Sequence, residues 1–520
     1  MADGPFRIGV DVGGTNTDAV LMTNDFTILG KHKATTSTDI VEAIAEAVTA
    51  VVAQSGVDPS EITQVMLGTT HATNAVLERR DLGTVATLRI GGPATKSVPP
   101  LVTWPSELRN VVSAGEVIVD GGFEFDGTEQ VGFDADGVHT FLDSLDGAPD
   151  AFAVASVFAP VSDAHELLAS DIIRERFPDT PISLSGPIGS IGLIERENAC
   201  VLNAALIEVA HKIVAGLSSA LERQGIDAIQ YFAQNDGTLM ALDRVLQFPV
   251  LTIGSGPANS MRGAAHLSGL GEAIVVDVGG TSTDIGVLAA GFPRESAIPV
   301  EIGGVRTNFR MPDLLALALG GGTVLSGLDG TDEELQVGPS SVGHRLSTEA
   351  MSFGGDTPTL SDAAIANGRA SFGTHAPDAL SADVATRALA RIDAMFEDGI
   401  DRMKLSRSDQ PVIAVGGGSV LMPEALAGAS EIVRPEHHDV ANAVGAAIAA
   451  ISAEIDQIFS LDGTTREATI ESAKAEAIGA AVALGAVPEA TEVVSLEELT
   501  MAYMTDNILR LRIKAAGPLQ

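Results

Sequence analysis

The chain has 520 residues, enough for more than one domain around a large core. Its hydrophobic fraction of 45% and mean hydropathy of +0.25 come from Ala, Val, Leu and Ile, since aromatic residues make up only 4%. A net charge of −38 opposes binding to nucleic acid or to an anionic membrane, and the single cysteine excludes a disulfide framework, a CxxC zinc site and a cysteine-ligated iron–sulfur cluster within the chain.

The first strand starts by Phe6, which leaves no room for a signal peptide, and the apolar runs Ala151–Pro160 and Ala443–Ile451 fall short of the ~20 residues that span a bilayer. A cytoplasmic protein is expected. That first strand opens Ile8–Leu21, IGVDVGGTNTDAVL, which is repeated at Ile274–Leu288 as IVVDVGGTSTDIGVL. With Asp11 set against Asp277, seven of eight positions of DVGGTxTD are identical. Each copy reads as strand, tight turn and strand, because Val, Ile and Thr favour the pleated surface and paired glycines allow a tip without Cβ atoms. Such a tip suits phosphate. Gly13, Gly14, Thr15 and Thr17, and again Gly279, Gly280, Thr281 and Thr283, offer amides and hydroxyls to it. Asp11 and Asp277, at the strand ends, are placed to hold Mg²⁺ or its waters against phosphate oxygens. Neither copy is a P-loop or a GxGxxG turn.

A third strand, Thr27–Thr35, precedes a helix from Ile40 to Ser55, capped by Thr38 or Asp39 and ended at Gly56. The strand Gln64–Leu67 then runs into Gly68–Arg80, GTTHATNAVLERR, where hydroxyl and amide side chains crowd a helix start. Thr69, Thr70, His71, Thr73 and Asn74 are candidates to face a ligand there, with helix capping as the other reading. Residues 84–186 form an inserted α/β region with strands near 83–90, 117–119 and 151–158, and Trp104 in its Pro-rich loop is expected to pack. A long helix, Asn198–Arg223, links the halves and buries Cys200. The strand Ile229–Ala233 ends in Gln234-Asn235-Asp236-Gly237, polar residues where a sheet faces its ligand crevice.

Gly254–Ala265, GSGPANSMRGAA, turns into a helix before the second hairpin. Leu319–Thr323 is LGGGT, and the strand Val412–Val415 ends in Gly416, Gly417, Gly418 and Ser419, where missing side chains admit a base or ribose. Ala441–Ala450 is a small-residue helix expected to cross between lobes, and His437 and His438 look solvated. After Ile458 a helix, Thr465–Leu484, and two strands form a small C-terminal α/β module.

The paired hairpins, the GGGS strand end and the small-residue helix resemble the actin-like ATPase superfamily. Within it, DVGGTNTD at Asp11, GTTHATNAVLERR at Gly68, SGPANSMRGA at Ser255, DVGGTSTD at Asp277, LGGGT at Leu319 and VGPSS with PTLSDA at Pro358 resemble a short form of the A-type (HyuA-like) subunit of the hydantoinase/oxoprolinase family. In place of the cysteine- and tyrosine-containing run that the family commonly carries, Val342–Gly355 reads VGHRLSTEAMSFGG.

The resemblance implies a duplicated actin-like, ribonuclease-H-like α/β fold: an N-terminal lobe over 1–190, a second lobe over 191–458 and the terminal module over 459–520. It implies ATP with Mg²⁺ or Mn²⁺, used to phosphorylate the carbonyl oxygen of a hydantoin, 5-oxoproline or lactam so that the ring can open. A separate B-type or other hydrolytic subunit is the implied partner, and an oligomer is left open. Under the same resemblance Asp11, Asp277 and His71 are catalytic, with His71 donating to the substrate oxygen; Thr70, Thr73 and Asn74 lie on the substrate side; and Gly416–Ser419 hold adenosine. A ketone carboxylase subunit is one alternative and a nucleotide-gated activator ATPase another.

Overall fold

The computed structural model describes residues 5–14, 16–35, 40–189, 191–296, 300–308, 311–328, 331, 334–461, 463–499 and 508–519. Two mixed sheets form its framework. The first has nine strands in the spatial order 492–499, 508–517, 451–460, 239–241, 229–233, 62–69, 6–12, 16–23 and 28–35. The second runs 292–293, 283–289, 273–278, 410–415 and 429–433, with 314–317 paired to 283–289.

Phe6–Val12 is buried along its whole length because both faces are covered, so Arg7 and Asp11, which alternate with its apolar residues, are buried with them. It pairs antiparallel with Asn16–Thr23 and parallel with Ile62–Thr69. The helix Ile40–Ser55 stops where expected, at Gly56 in the left-handed region (φ 66°). The expected caps Thr38 and Asp39 lie outside the described residues.

Residues Leu193–Gln224 form one helix that is long and apolar enough by length and composition to cross a membrane, although charged residues interrupt its apolar sequence. About two-thirds (67%) of its apolar window is buried inside the fold. It packs into the first lobe's core, and the strands 229–233 and 239–241 that follow join the first sheet, so the chain returns to that lobe after residue 191. Cys200 is fully buried on this helix, and burial pushes its thiol pKa up. Trp104 packs as expected, donating from Nε1 to Asn198 Oδ1 at 2.7 Å. The inserted region carries its own parallel four-stranded sheet, ordered 113–120, 85–92, 151–156, 182–184. It is pinned to the long helix by a bidentate pair, Arg89 Nε and Nη2 each 2.6 Å from Glu197, with both side chains buried.

The C-terminal helix Arg466–Ala483 and strands 492–499 and 508–517 form as expected, but they extend the first sheet through the strand Ile451–Ser460. Order within a sheet is a non-local property, which local patterning does not carry. Between the lobes, the helices Ser255–Ser268 and Ala441–Ile448 cross in close contact. A Cβ added at Gly263 would fall 1.8 Å from the Ala441 carbonyl oxygen, and one at Gly445 would fall 1.8 Å from that of Asn259.

Candidate functional site

The two DVGGTxTD segments fold alike. Asp11 faces Asp18 across the first hairpin, and Asp277 faces Asp284 across the second. Gly13 N donates to Asn16 O at 3.0 Å and Gly279 N to Ser282 O at 2.9 Å. The first glycine of each tip therefore spends its amide on the turn. The amides of Gly14 and Gly280 have no acceptor among the described residues and are the ones left for an anion. Thr15 lies outside the described residues.

Both tips line one cleft of about 720 Å³, together with Gly416, Gly417 and Gly418 from the second lobe and Thr70 and Asn74 from the first. The second tip is braced on two sides. Gly321 N donates to Gly279 O at 3.0 Å, Gly322 N to Gly280 O at 2.7 Å, and Gly418 N to Val278 O at 2.8 Å. Close backbone packing also explains part of the triple glycine. Gly416 adopts φ 84°, and a Cβ there would lie 2.3 Å from Asp277 Oδ1; one at Gly418 would lie 2.7 Å from Gly279 O. Only Gly417 fronts open space, with Lys33 Cε its sole neighbour at 3.6 Å.

Four carboxylates crowd the floor. Burial raises the pKa of Asp11 to about 7, with Asp18 adding repulsion. Burial likewise raises Asp284 to about 7, with Asp277 beside it, and shifts Asp277 itself upward. Asp18 rises to about 6 through burial, although Lys33 Nζ sits 2.6 and 2.7 Å from its two oxygens and opposes the rise. Asn442 Nδ2 donates to Asp11 Oδ2 at 3.0 Å. Asp11 Oδ1, both amide atoms of Asn259 and Ser260 Oγ are buried without a hydrogen bond. Asn259 and Ser260 are nevertheless close enough to Asp11 and Asp277 to favour the charged carboxylates. Crowded acids and an unpaired buried carboxylate oxygen fit a divalent cation. Among the described residues no three His, Cys, Asp or Glu groups converge as a ready-made cage, so the fit is to an ion that keeps much of its own water.

Several predicted residues stand elsewhere. Thr17 and Thr283 are fully buried, and Thr283 Oγ1 donates to Leu319 O at 2.7 Å, because alternate residues of a strand point away from the cleft. Ser419 is buried with Oγ 3.0 Å from His438 Nδ1, which also gives His438 a structural partner in place of the expected solvation. Thr73 Oγ1 accepts from Gly254 N at 3.1 Å, tying one helix start to the next. His71 does not line the cleft: its Nδ1 is 2.9 Å from Thr69 Oγ1, and burial lowers its pKa. Thr281, Thr70 and Asn74 do line it, with Asn74 Nδ2 donating to Thr70 Oγ1 at 3.4 Å. Gln234, Asn235 and Asp236 line a different cavity.

Reading the sequence did not single out Lys33, Asn259, Ser260, Asn442, or Phe353 and Phe372, whose rings stack 6.3 Å apart on the cleft wall. Lys31 and Lys33 alternate on one strand, a period of two that marks a shared face; Lys31 Nζ reaches Asp439 of the second lobe at 2.7 Å.

Two family models match the chain: the hydantoinase/oxoprolinase N-terminal region over residues 7–177 and hydantoinase/oxoprolinase over residues 196–403. The caprolactamase subunit alpha of Pseudomonas jessenii is 27% identical over 397 residues, covering 71% of this chain and 55% of that protein. The acetophenone carboxylase gamma subunit of Aromatoleum aromaticum is 26% identical over 394 residues, covering 69% and 53%. The chain thus spans about half the length of the curated relatives it matches. Among solved structures, the ATP-dependent caprolactamase from Pseudomonas jessenii superposes with a TM-score of 0.72 at 19% identity, covering 99% of this chain and 88% of that one. Nucleotide-free acetone carboxylase gives a TM-score of 0.71 at 15% identity with the same coverages, 99% and 88%. Both share the fold.

Proposed function

The chain belongs to the hydantoinase/oxoprolinase family, and from that membership we propose that it is the ATP-using subunit of a hydrolase that phosphorylates the carbonyl oxygen of a cyclic amide to allow ring opening. The observation that carries this reading is the convergence of both hairpin tips and the triple glycine on one cleft. An amide carbonyl is a poor electrophile, and converting its oxygen to a phosphate ester turns that oxygen into a leaving group. Catalysis of the transfer then consists of positioning and charge stabilisation.

In this reading the amides of Gly14 and Gly280 hold phosphate oxygens from opposite lobes. Phe353 and Phe372 offer a stacking face for the base, beside Val420 and Gly417. Thr70 and Asn74, beyond the first tip, face the substrate side. Asp11 and Asp277 would hold a divalent cation largely through its waters; such an ion supplies charge neutralisation on the transferring phosphoryl group. Lys33, fixed by Asp18 between the tips, adds the one lysine among the cleft-lining residues. His71, held on Thr69, serves as a helix-start residue.

Measuring ADP release with hydantoin, 5-oxoproline and small lactams, alone and with a co-purified hydrolytic subunit, tests the reading. Chelation of divalent cations should abolish release, and Asp277→Asn should lower it ~100-fold or more. A rate unchanged by Asp277→Asn would remove the metal assignment. A ketone carboxylase subunit is the second reading, favoured by near-equal identity to the acetophenone carboxylase gamma subunit. Bicarbonate-dependent ATP turnover with an aryl ketone, and none with lactams, would select it.

A further inference from the structure

A second cavity, of about 630 Å³, lies where the first sheet meets its C-terminal extension, and none of its lining residues borders the hairpin cleft. Its walls include Leu239, Met240, Leu251 and Ile455, enough apolar surface for a short carbon chain. Most charges around it are matched internally. Lys514, nearly inaccessible, lies 2.7 Å from Asp236 and 3.1 Å from Glu295, and Asp456 takes Arg510 at 2.8 Å and Arg512 at 2.7 Å.

Two charges are left over. Arg244 stacks its guanidinium 4.9 Å from the Phe248 ring centroid and makes no ion pair or side-chain hydrogen bond to any described residue. Glu454 has only a long contact, 3.5 Å to Arg512. The Glu454 side chain lines the cavity and is 40% exposed, so its carboxylate stays open to a further cationic partner. Asn235 is 5% exposed, lines the cavity, and leaves Nδ2 without an acceptor. A half-buried unpaired guanidinium and an unsatisfied amide donor call for an acceptor-rich anion; an accessible carboxylate with one long ionic contact can take a cation.

We propose that this cavity binds a small zwitterionic amino acid, its carboxylate held by Arg244 and the Asn235 amide and its ammonium by Glu454. Water-driven opening of a cyclic amide yields a molecule of this class, but the assignment rests on the cavity alone and stands apart from the nucleotide reading.

Titration calorimetry on the full chain with ω-amino acids from 4-aminobutanoate to 8-aminooctanoate tests it, with hexanoate and hexylamine as single-charge controls. Saturable binding of at least one amino acid, at least 10-fold tighter than either control, is expected. Arg244→Met should weaken it at least 10-fold, and Glu454→Gln should reduce it to the level of hexanoate. Asp277→Asn should leave it unchanged, which separates this site from the hairpin cleft whatever the fate of ATP turnover. Should Arg244→Met not fold, Arg244→Lys and Glu454→Gln carry the same comparison. Absence of saturable binding, equal binding of a control, indifference to both substitutions, or loss in Asp277→Asn would each overturn the proposal.

Discussion

Asp11 and Asp284 both titrate at about 7 because burial disfavours their charge and a second aspartate stands opposite each. A carboxylate whose folded pKa lies above its unfolded value of ~3.9 holds its proton more tightly in the folded state. Its contribution is therefore fully present below about pH 4 and is lost as pH climbs toward 7. In metal-free buffer, the melting temperature should fall from pH 5 to pH 8, and Asp284→Asn should make that fall shallower by on the order of 1–2 kcal/mol. Parallel pH profiles for wild type and Asp284→Asn, measured by calorimetry, would contradict the assignment. His71 offers the opposite test at the same scale. Since its imidazole is turned onto Thr69, His71→Ala should cost about 1 kcal/mol of stability as a lost local hydrogen bond and leave ADP release within about threefold.

Among the elements, the buried pair Arg89–Glu197 ties the inserted sheet to the long helix. Removing Glu197 leaves the Arg89 guanidinium desolvated and uncompensated, so Glu197→Ala should cost about 3–5 kcal/mol in urea unfolding. The apolar double replacement Arg89→Met/Glu197→Leu should recover most of it, and equal loss in the double variant would show that packing alone matters. The hairpins were legible in the sequence because strand, turn and strand are local chemistry: β-branched runs on either side of Gly-Gly give the fold without outside help. The same locality made the helix Ile40–Ser55 and the strands 229–233 and 508–517 readable. Lys33 and Asn442 were not, because each acquires its role only from an aspartate elsewhere in the chain: Asp18, 15 residues away, and Asp11, 431 residues away. Thr17 and Thr283 were misread for a related reason. Strand alternation continues to the end of the hairpin and turns those hydroxyls inward.

For the whole molecule, the order of strands decides which parts move together. The strands 451–460, 492–499 and 508–517 belong to the first sheet, so they should protect with the first lobe in hydrogen exchange. Faster independent exchange of 508–517 would contradict this. The helices 255–268 and 441–448 lie between the lobes and meet through Gly263 and Gly445, where no side chain separates the backbones. Enlarging either glycine to leucine should cost on the order of 1–3 kcal/mol by forcing the helices apart, and should weaken nucleotide affinity beyond that stability loss. On the first of these helices, Asn259 stands by Asp11 and its sequence neighbour Ser260 by Asp277. One rigid rod thus touches the base of each glycine finger through consecutive residues, and turning it slightly must shift both grips at once. A ligand that displaces one finger is therefore expected to displace the other, so the pair should grasp and release as a unit.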